Sequence, residues 1–471
     1  MLFKDRNYRK YNVMVFKKNR LIRIYEIFLI LFLIISFSTS IYAQAAKVGQ
    51  KAEWEHPKKI LMHTPEDEVF MGVLHPEAAL FEKPFNLKIA DAEHLKYIDR
   101  LREHGAEVYR VVDVLLKGTI DEQGRTIPSP ELDTLREFAG SCLKFDNSAL
   151  KEPDKGQQEK YKQEILFQLT PYELVKIILQ RPTIHLRQTE KNTGLSATYE
   201  ISPLMNLYFL RDQMITTAKG IVIARMNAVQ RVHETKIIKF VIKKLGITPI
   251  YEVKGMGRLE GGDYFSAGEV AFIGQGLRTN AEGVKQLLEH QVFGIPHVAV
   301  VKDNWKNQEE MHLDTYFNII GPKLAVMVDL RMHNPGKKPE LKGISSKVDV
   351  YRLEKEGYRR VIKDMDFQQY LEEELGYTII PVSRKDQNLY GINFLTVAPG
   401  KIFAIDGVSK AYKDALKKNG VDAVWMDFGE LTKGYGAAHC TTQVLLREDV
   451  SKNKDLTTGE RGGNTPHLPG D

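Results

Sequence analysis

The chain has 471 residues, of which 43% are hydrophobic and 27% charged, and it carries a formal net charge of +6. The composition is ordinary for a globular protein, and the length predicts two or three domains or one large repetitive one. The first 26 residues hold eight Lys or Arg against two acids, which equals the whole formal excess of six. The rest is therefore electrically balanced, and nothing in it argues for nucleic acid as a partner.

The basic start runs into "IFLILFLIISFSTSIYAQA" from Ile27, an apolar stretch that ends in small residues around Ala43 and Ala45. This pattern predicts a secretory signal peptide over residues 1–45, with Met14 as an alternative start, and hence export to the periplasm or medium. The rival is an uncleaved membrane anchor, because the run approaches the roughly 20 residues that span a bilayer. After cleavage no membrane contact is expected. The chain has two cysteines, Cys142 and Cys440. One disulfide is conceivable in an exported protein, but a chain of this size does not need it and the two lie in dissimilar contexts.

From residue 46 onward a single unit recurs. Five times an amphipathic helical pattern runs into a Gly and then into a β-branched or aromatic strand: "YIDRLREHGAEVYRV", "FVIKKLGITPIYEV", "LLEHQVFGIPHVAVV", "YLEEELGYTIIPV" and "ALKKNGVDAVWM". Gly105, Gly246, Gly294, Gly376 and Gly420 stand where a helix needs a residue able to take positive φ to stop. Near four of these helices lies a hairpin pattern with Gly punctuation: "QMITTAKGIVIARM", "DYFSAGEVAFIGQG", "TYFNIIGPKLAVMV" and "NFLTVAPGKIFAID". Small sheets that cannot bury a face alone, repeated five times, predict an α/β propeller of ββαβ-type modules closed around an axis. The interval from Gly105 to Gly246 is anomalously long. Its excess, residues 116–199, has helical period in "ELDTLREFAGSCLKF", "QQEKYKQEILFQL" and "TPYELVKIILQ", and reads as an α-helical insertion between the first and second modules of a 46–471 catalytic domain.

The polar residues fall at the heads of the hairpins. Arg211 and Asp212 precede the first, Glu260 and Asp263 the second, His312 and Asp314 the third in "MHLDTYF", and Asn393 the fourth. Read as an extended strand, "MHLDTYF" puts the imidazole and carboxylate on one face. Repeat-equivalent positions in a ring converge on its axis, so these residues predict one pocket. The last unit adds "GYGAAHCTTQ", with Gly434 and Cys440 on a Gly-rich approach. Zinc would want further His or Cys at short spacing, and the one candidate, His439, adjoins Cys440 so that their side chains diverge. Covalent catalysis needs a thiolate and a proton carrier, which Cys440 and His312 could supply. Asp263, beside Glu260, reads as a group satisfying buried backbone, Arg231 as a solvated helix residue, and Cys142 as a small buried hydrophobe.

In this order "NLYFLRD", "RVHET", "LEGGD", "GLRT", "MHLDT" and "GYGAAHC" resemble the guanidine-modifying enzymes, and the arginine deiminases in particular. "LMHTPEDEVFMGV" with "AEHLKYIDRLREHGAEVYRV", and "LTPYELVKIIL", extend the resemblance upstream, over roughly residues 53–449. The resemblance implies hydrolysis of free L-arginine to citrulline and ammonia, with Cys440 as nucleophile, His312 as acid and base, Glu260 orienting it, and Asp212 and Asp314 holding the guanidinium. It implies Arg231 and Arg278 as clamps on the substrate carboxylate, and Phe209, Asn393 and Gly434 as pocket residues. It implies no cofactor and no metal, a small-molecule partner, and is compatible with a homo-oligomer. Agmatine, methylarginine or peptidyl arginine as substrate, amidino transfer, and a non-catalytic arginine-binding relative are the alternatives. The chain departs from the family at Tyr435, where several members carry Arg, at "CTTQVLLRED", at the "ALFEKPFN" loop and in its signal peptide.

Overall fold

The structure, a computed structural model, describes residues 46–449 apart from 153, 192 and 333–343. The expected signal peptide over residues 1–45, with its cleavage or anchoring, lies outside the described residues. Among those described, no helix is long and apolar enough to cross a membrane.

Among the described residues the protein is mixed α/β, with six small sheets. Each of the four expected hairpins forms: Met214–Thr216 with Ile221–Ile223, Tyr264–Ala267 with Val270–Gln275, Phe317–Gly321 with Leu324–Val328, and Leu395–Ala398 with Lys401–Ile405. The inner strand of each pairs in parallel with a third strand: Tyr251–Glu252, His297–Lys302, Thr378–Val382 and Asp422–Met426 respectively. A fifth sheet repeats this pattern from opposite ends of the chain. His56–Met62 pairs antiparallel with Gln443–Glu448 and parallel with Glu107–Arg110. The connecting helices include Leu87–Glu103, Glu234–Lys244, Ala281–Glu289 and Lys410–Lys418, with buried apolar residues such as Ile98, Ile237, Leu287 and Leu416 turned to the sheets. The glycines after these helices have φ of 91° (Gly105), 73° (Gly246), 67° (Gly294), 67° (Gly376) and 75° (Gly420), the left-handed region in which a Cβ is costly.

Two readings need correction. The segment 116–199 contains the helices Pro130–Cys142, Asp154–Gln168 and Pro171–Gln180, the last closed by a capping box from Thr170 and Glu173. It also contains a sheet of Lys144–Asp146, Pro182–Gln188 and Leu195–Ile201. It is thus α+β rather than α-helical, and its last strand passes residue 199; that outer strand alternates Leu195, Ala197, Tyr199 and Ile201 but is almost wholly exposed. "MHLDTYF" is also not a strand: Leu313–Thr315 is a 3-10 turn in which the Thr315 hydroxyl donates to the His312 carbonyl at 2.6 Å, and the strand begins at Phe317. A further hairpin, Lys347–Glu354 with Gly357–Asp366, extends the second sheet by pairing with His297–Lys302. Both cysteines are free; Cys142 is buried and accepts from Arg181 Nη1 at 3.2 Å.

Candidate active site

The polar residues at the hairpin heads converge. Asp212, Glu260, His312, Asp314, Asn393 and Cys440 are all buried, and so are Arg231 and Arg278. Short turns ahead of the strands deliver them: Gly261–Asp263 and Leu313–Thr315 are 3-10 turns. Asp263 accepts from the Leu313 amide at 2.9 Å, so it fixes one turn against the next, a structural role as its sequence context predicts.

The glycines of "LEGGD" permit this approach. A Cβ on Gly261 would lie 2.0 Å from the Arg211 carbonyl oxygen, and one on Gly262 would lie 2.6 Å from His312 Nδ1. Gly262→Ala is therefore expected to push the imidazole off its position and to cost about 1–3 kcal/mol of stability through overpacking. Thermal denaturation beside a turnover assay checks this: unchanged melting with unchanged activity would mean that the ring has room to move.

His312 Nε2 donates to Glu260 Oε2 at 2.8 Å, and its Nδ1 lies 3.7 Å from Asp212 Oδ1. Burial opposes charging this imidazole, but Asp212 and Glu260 outweigh it and His312 is pushed up to about 9. Burial works against ionising Glu260 as well, yet its bond to His312 and the nearby Arg278 and Arg231 hold it down at about 2. The two shifts agree on an imidazolium–carboxylate pair.

On the opposite side Cys440 Sγ receives Asn393 Nδ2 at 3.1 Å and lies 3.5 Å from Asp314 Oδ2. Asn393 Oδ1 accepts from the Ala437 and Cys440 amides, so one side chain fixes both the loop and the sulfur. Burial, then Asp314 and Asp212, push the Cys440 thiol well up. Burial chiefly raises Asp314 to about 7. Asp212 Oδ1 and Asp314 Oδ1 are buried without a hydrogen bond. Two under-satisfied carboxylates flanking a thiol make a receptor for a compact organic cation with several N–H donors.

Arg231, whose sequence context suggests a solvated helix residue, is buried: it donates to Asp212 Oδ2 at 2.7 Å and to Glu234 Oε2 at 2.9 Å. Arg278 Nη1 lies 3.8 Å from Glu260 Oε1. Ligand atoms of Asp212, Glu260 and His312 fall within 4.8 Å of one another, as in a metal site. One oxygen of Asp212 is already taken by Arg231 and one of Glu260 by His312, and Arg231 Nη1 is also 4.0 Å from Glu260 Oε2. A divalent ion there would meet a fixed guanidinium, so the donor set does not fit one.

Cys440 sits between two cavities. An inner one of about 20 Å³ is lined by Asn206, Phe209, Asp212, Arg231, Arg278 and His312, with Gly434 in its wall. A wider one of about 190 Å³ is lined by Glu82, Glu309, Tyr390 and Asn393 among others. Thr315, Tyr435 and Cys440 line both. The glycines of "GYGAAHC" let the last loop pass over aromatic rings: a Cβ on Gly434 would lie 1.6 Å from Tyr208 Oη, and one on Gly436 2.4 Å from Phe209 Cε1.

The model of the family "Arginine deiminase" matches residues 77–447. The chain belongs to the arginine deiminase family. Curated arginine deiminases similar to it include that of Halobacterium salinarum, 26% identical over 86% of this chain and 97% of the relative, and that of Oenococcus oeni, 24% identical over 84% and 96%. Among solved structures it is similar to unliganded AgrE, with TM-score 0.48 and 15% identity, covering 83% of this chain and 40% of that one. It is also similar to a DDAH from Pseudomonas aeruginosa complexed with citrulline, with TM-score 0.47 and 15% identity, covering 83% and 100%.

All ten residues singled out in this deiminase-family sequence lie in or against the two cavities: Phe209, Asp212, Arg231, Arg278, His312, Gly434 and Cys440 in the inner wall, Asn393 in the outer, and Glu260 and Asp314 behind them as hydrogen-bond partners. Sequence reading weighed His439 only as a zinc ligand and set it aside. Its Nδ1 donates to Asp314 Oδ2 at 2.7 Å, and its ring lies against Phe265 at 5.0 Å. Burial, then Arg211 and Arg447, hold it well below the usual imidazole range, so it is a neutral donor. Sequence reading missed Asn206, Glu234 and the outer carboxylates Glu82 and Glu309; "NLYFLRD" contains Asn206, but nothing local marks it as facing a cavity.

Proposed function

We propose that the protein hydrolyses free L-arginine to L-citrulline and ammonia through a thiouronium intermediate on Cys440. The observation that carries this reading is the Cys440 thiol in one cavity wall with Asp212 and His312, 3.5 Å from Asp314, where one oxygen of each of the two carboxylates is taken up by no hydrogen bond. A guanidinium held by both carboxylates neutralises the charges that suppress the thiolate, so binding itself lowers the thiol's proton affinity. The thiol proton leaves to solvent, the sulfur bonds to the planar central carbon, and one terminal carbon–nitrogen bond breaks. His312, charged at neutral pH, gives its proton to the departing nitrogen, and as neutral imidazole it takes one from the water that follows. Glu260 holds the ring for both transfers. Arg231 and Arg278 line the inner cavity, and a guanidinium taken up by Asp212 would release Arg231 Nη1 to a substrate α-carboxylate.

The finer architecture supports the same placement. We infer a ring of five hairpin–helix–strand modules. Successive sheets are joined by the Ala218 amide to the Phe293 carbonyl, Leu313 N to Asp263, Thr396 Oγ1 to the Ile319 carbonyl, Arg447 to the Thr396 carbonyl, and Thr216 Oγ1 to the Val444 carbonyl, a series that returns to its start. The segment 116–199 is then an insertion between modules of a 46–471 catalytic unit, and residues 1–45 direct export.

The test is turnover of L-arginine, agmatine and an arginine-containing peptide by the full-length protein, read as citrulline or the corresponding ureido product. Free arginine is expected to have the highest kcat/KM, with agmatine lower by about two orders of magnitude or more, because it brings no carboxylate to Arg231 and Arg278. Preference for agmatine or peptide would sink the assignment of Arg231 and Arg278.

A further inference from the structure

The sheet of Lys144–Asp146, Pro182–Gln188 and Leu195–Ile201 has an open edge: among the described residues its last strand pairs on one side only. An outer strand offers a row of free backbone donors and acceptors, and proteins blunt such edges with charge, Pro or bulges. The long outer strand Gly357–Asp366 of the second sheet follows that rule. Arg359, Arg360 and Lys363 stand exposed on it, and Asp364 breaks its regular course at φ of 55°. Leu195–Ile201 carries none of these devices. Its sequence is "LSATYEI", Tyr199 is 74% exposed, and its single charged residue, Glu200, accepts from His185 Nε2 at 3.2 Å.

We propose that this edge binds the same edge of a second copy of the chain, joining two three-stranded sheets across a two-fold axis. Such an axis pairs the two strands antiparallel, and all seven residues overlap when Thr198 faces the partner's Thr198. That register keeps the pleat in phase, so Leu195, Ala197, Tyr199 and Ile201 of both copies lie on one face. Seven residues paired in this way exchange about six to eight backbone hydrogen bonds.

The strand fits itself in shape and in charge. Tyr199 stands opposite the partner's Ala197, large against small, and Leu195 opposite the partner's Ile201. Within each copy Ile184 pairs with Tyr199 and Leu186 with Ala197, so an apolar row crosses the junction without a break. On the other face Glu200 stands opposite the partner's Ser196, and no like charges meet. Arg187 pairs with Ser196 in its own sheet, is exposed, and is in no ion pair among the described residues. It lies two strand spacings, about 10 Å, from the partner's Glu200, within the combined reach of the two side chains across the small serine. The axis makes that pair twice. One sequence thus satisfies both sides of the junction, which is why the occupant is a second copy.

The experiment is sedimentation equilibrium of the full-length protein beside Tyr199→Lys. The unaltered protein is expected to sediment at twice the chain mass. Tyr199→Lys sets two ammonium groups into the apolar row and is expected to raise the dimer dissociation constant at least about tenfold. The side chain is exposed in a single copy, so the melting curve of the variant by circular dichroism should show the fold intact. The register is read separately. Cys142 and Cys440 are buried, so Thr198→Cys should join two copies through a short bismaleimide, with residue 198 linked to residue 198 in the recovered peptides. A monomeric unaltered protein, a dimer indifferent to Tyr199→Lys, or a dimer in which Thr198→Cys does not link would each overturn the proposal.

Discussion

Cys440→Ala is expected to lower L-arginine turnover by at least about 10⁴-fold while L-arginine still binds. The sulfur is the nucleophile in the proposed reaction, and what remains without it is positioning alone, which cannot make the covalent intermediate. Binding should survive because the cation's partners are other groups: Asp212 Oδ1 and Asp314 Oδ1 keep their unpaired lone pairs, and the His312–Glu260 bond does not involve the thiol. Removing Sγ also takes away a group 3.5 Å from Asp314, leaving the carboxylates freer to accept N–H donors. Steady-state citrulline formation and calorimetric binding of L-arginine would be measured side by side. Rapid acid quenching of the unaltered protein should catch a mass increase of arginine less ammonia on the peptide containing Cys440. Substantial turnover by the Ala variant would end the covalent reading; loss of both binding and turnover would show that the thiol holds the pocket together.

Glu260→Gln has the second-largest expected effect, on activity and stability together. The carboxylate stabilises the imidazolium it contacts at 2.8 Å and also faces Arg231 and Arg278. An amide keeps the shape but leaves buried positive charge uncompensated, at a cost of about 3–5 kcal/mol. The pH dependence follows from the two shifts. His312 is raised from 6.5 to about 9, so its contribution to stability is complete below 6.5 and is lost as pH rises through 9. Glu260 is lowered from 4.5 to about 2, so its contribution is present above 4.5 and is lost as pH falls through 2. The difference in unfolding free energy between the two proteins should therefore be greatest between pH 4.5 and 6.5 and shrink toward pH 9. In kcat/KM, the alkaline fall of the unaltered protein reports loss of the His312 proton near 9, and in the variant it should move to lower pH. An alkaline limb that stays in place would remove Glu260 from any role in setting the charge on His312.

The departures from the family pattern can now be placed. Tyr435 and the "ALFEKPFN" loop both reach the wider cavity, Tyr435 as a wall shared with the inner one and Glu82 as one of its carboxylates. Neither touches the His312–Glu260 pair. The altered positions therefore bear on what can stand beside the guanidinium, and the groups proposed to do the chemistry are intact.

The sequence by itself determined the units. A hairpin needs only two apolar alternations and a turn between them, and a helix stop needs only a Gly, so the four contiguous hairpins and the five helix-to-strand junctions were legible within windows of about 15 residues. Cys440, His312, Asp212, Asp314 and Glu260 were legible too, because their chemistry and motif order survive without coordinates. Tertiary structure alone decided the rest. Nothing in His56–Met62 or Gln443–Glu448 names the other as its partner, since an edge that pairs nearly 400 residues away carries no local period linking the two. The strands hidden in residues 116–199 are half-buried or exposed, so they lack the buried face that would betray them. His439 looked idle beside Cys440 because neighbouring side chains diverge. That divergence sends its ring to Asp314, 125 residues earlier in the chain, and leaves the thiol free to face the two cavities. Which side chains meet was set by packing between the small sheets, a long-range outcome that no single one of them encodes.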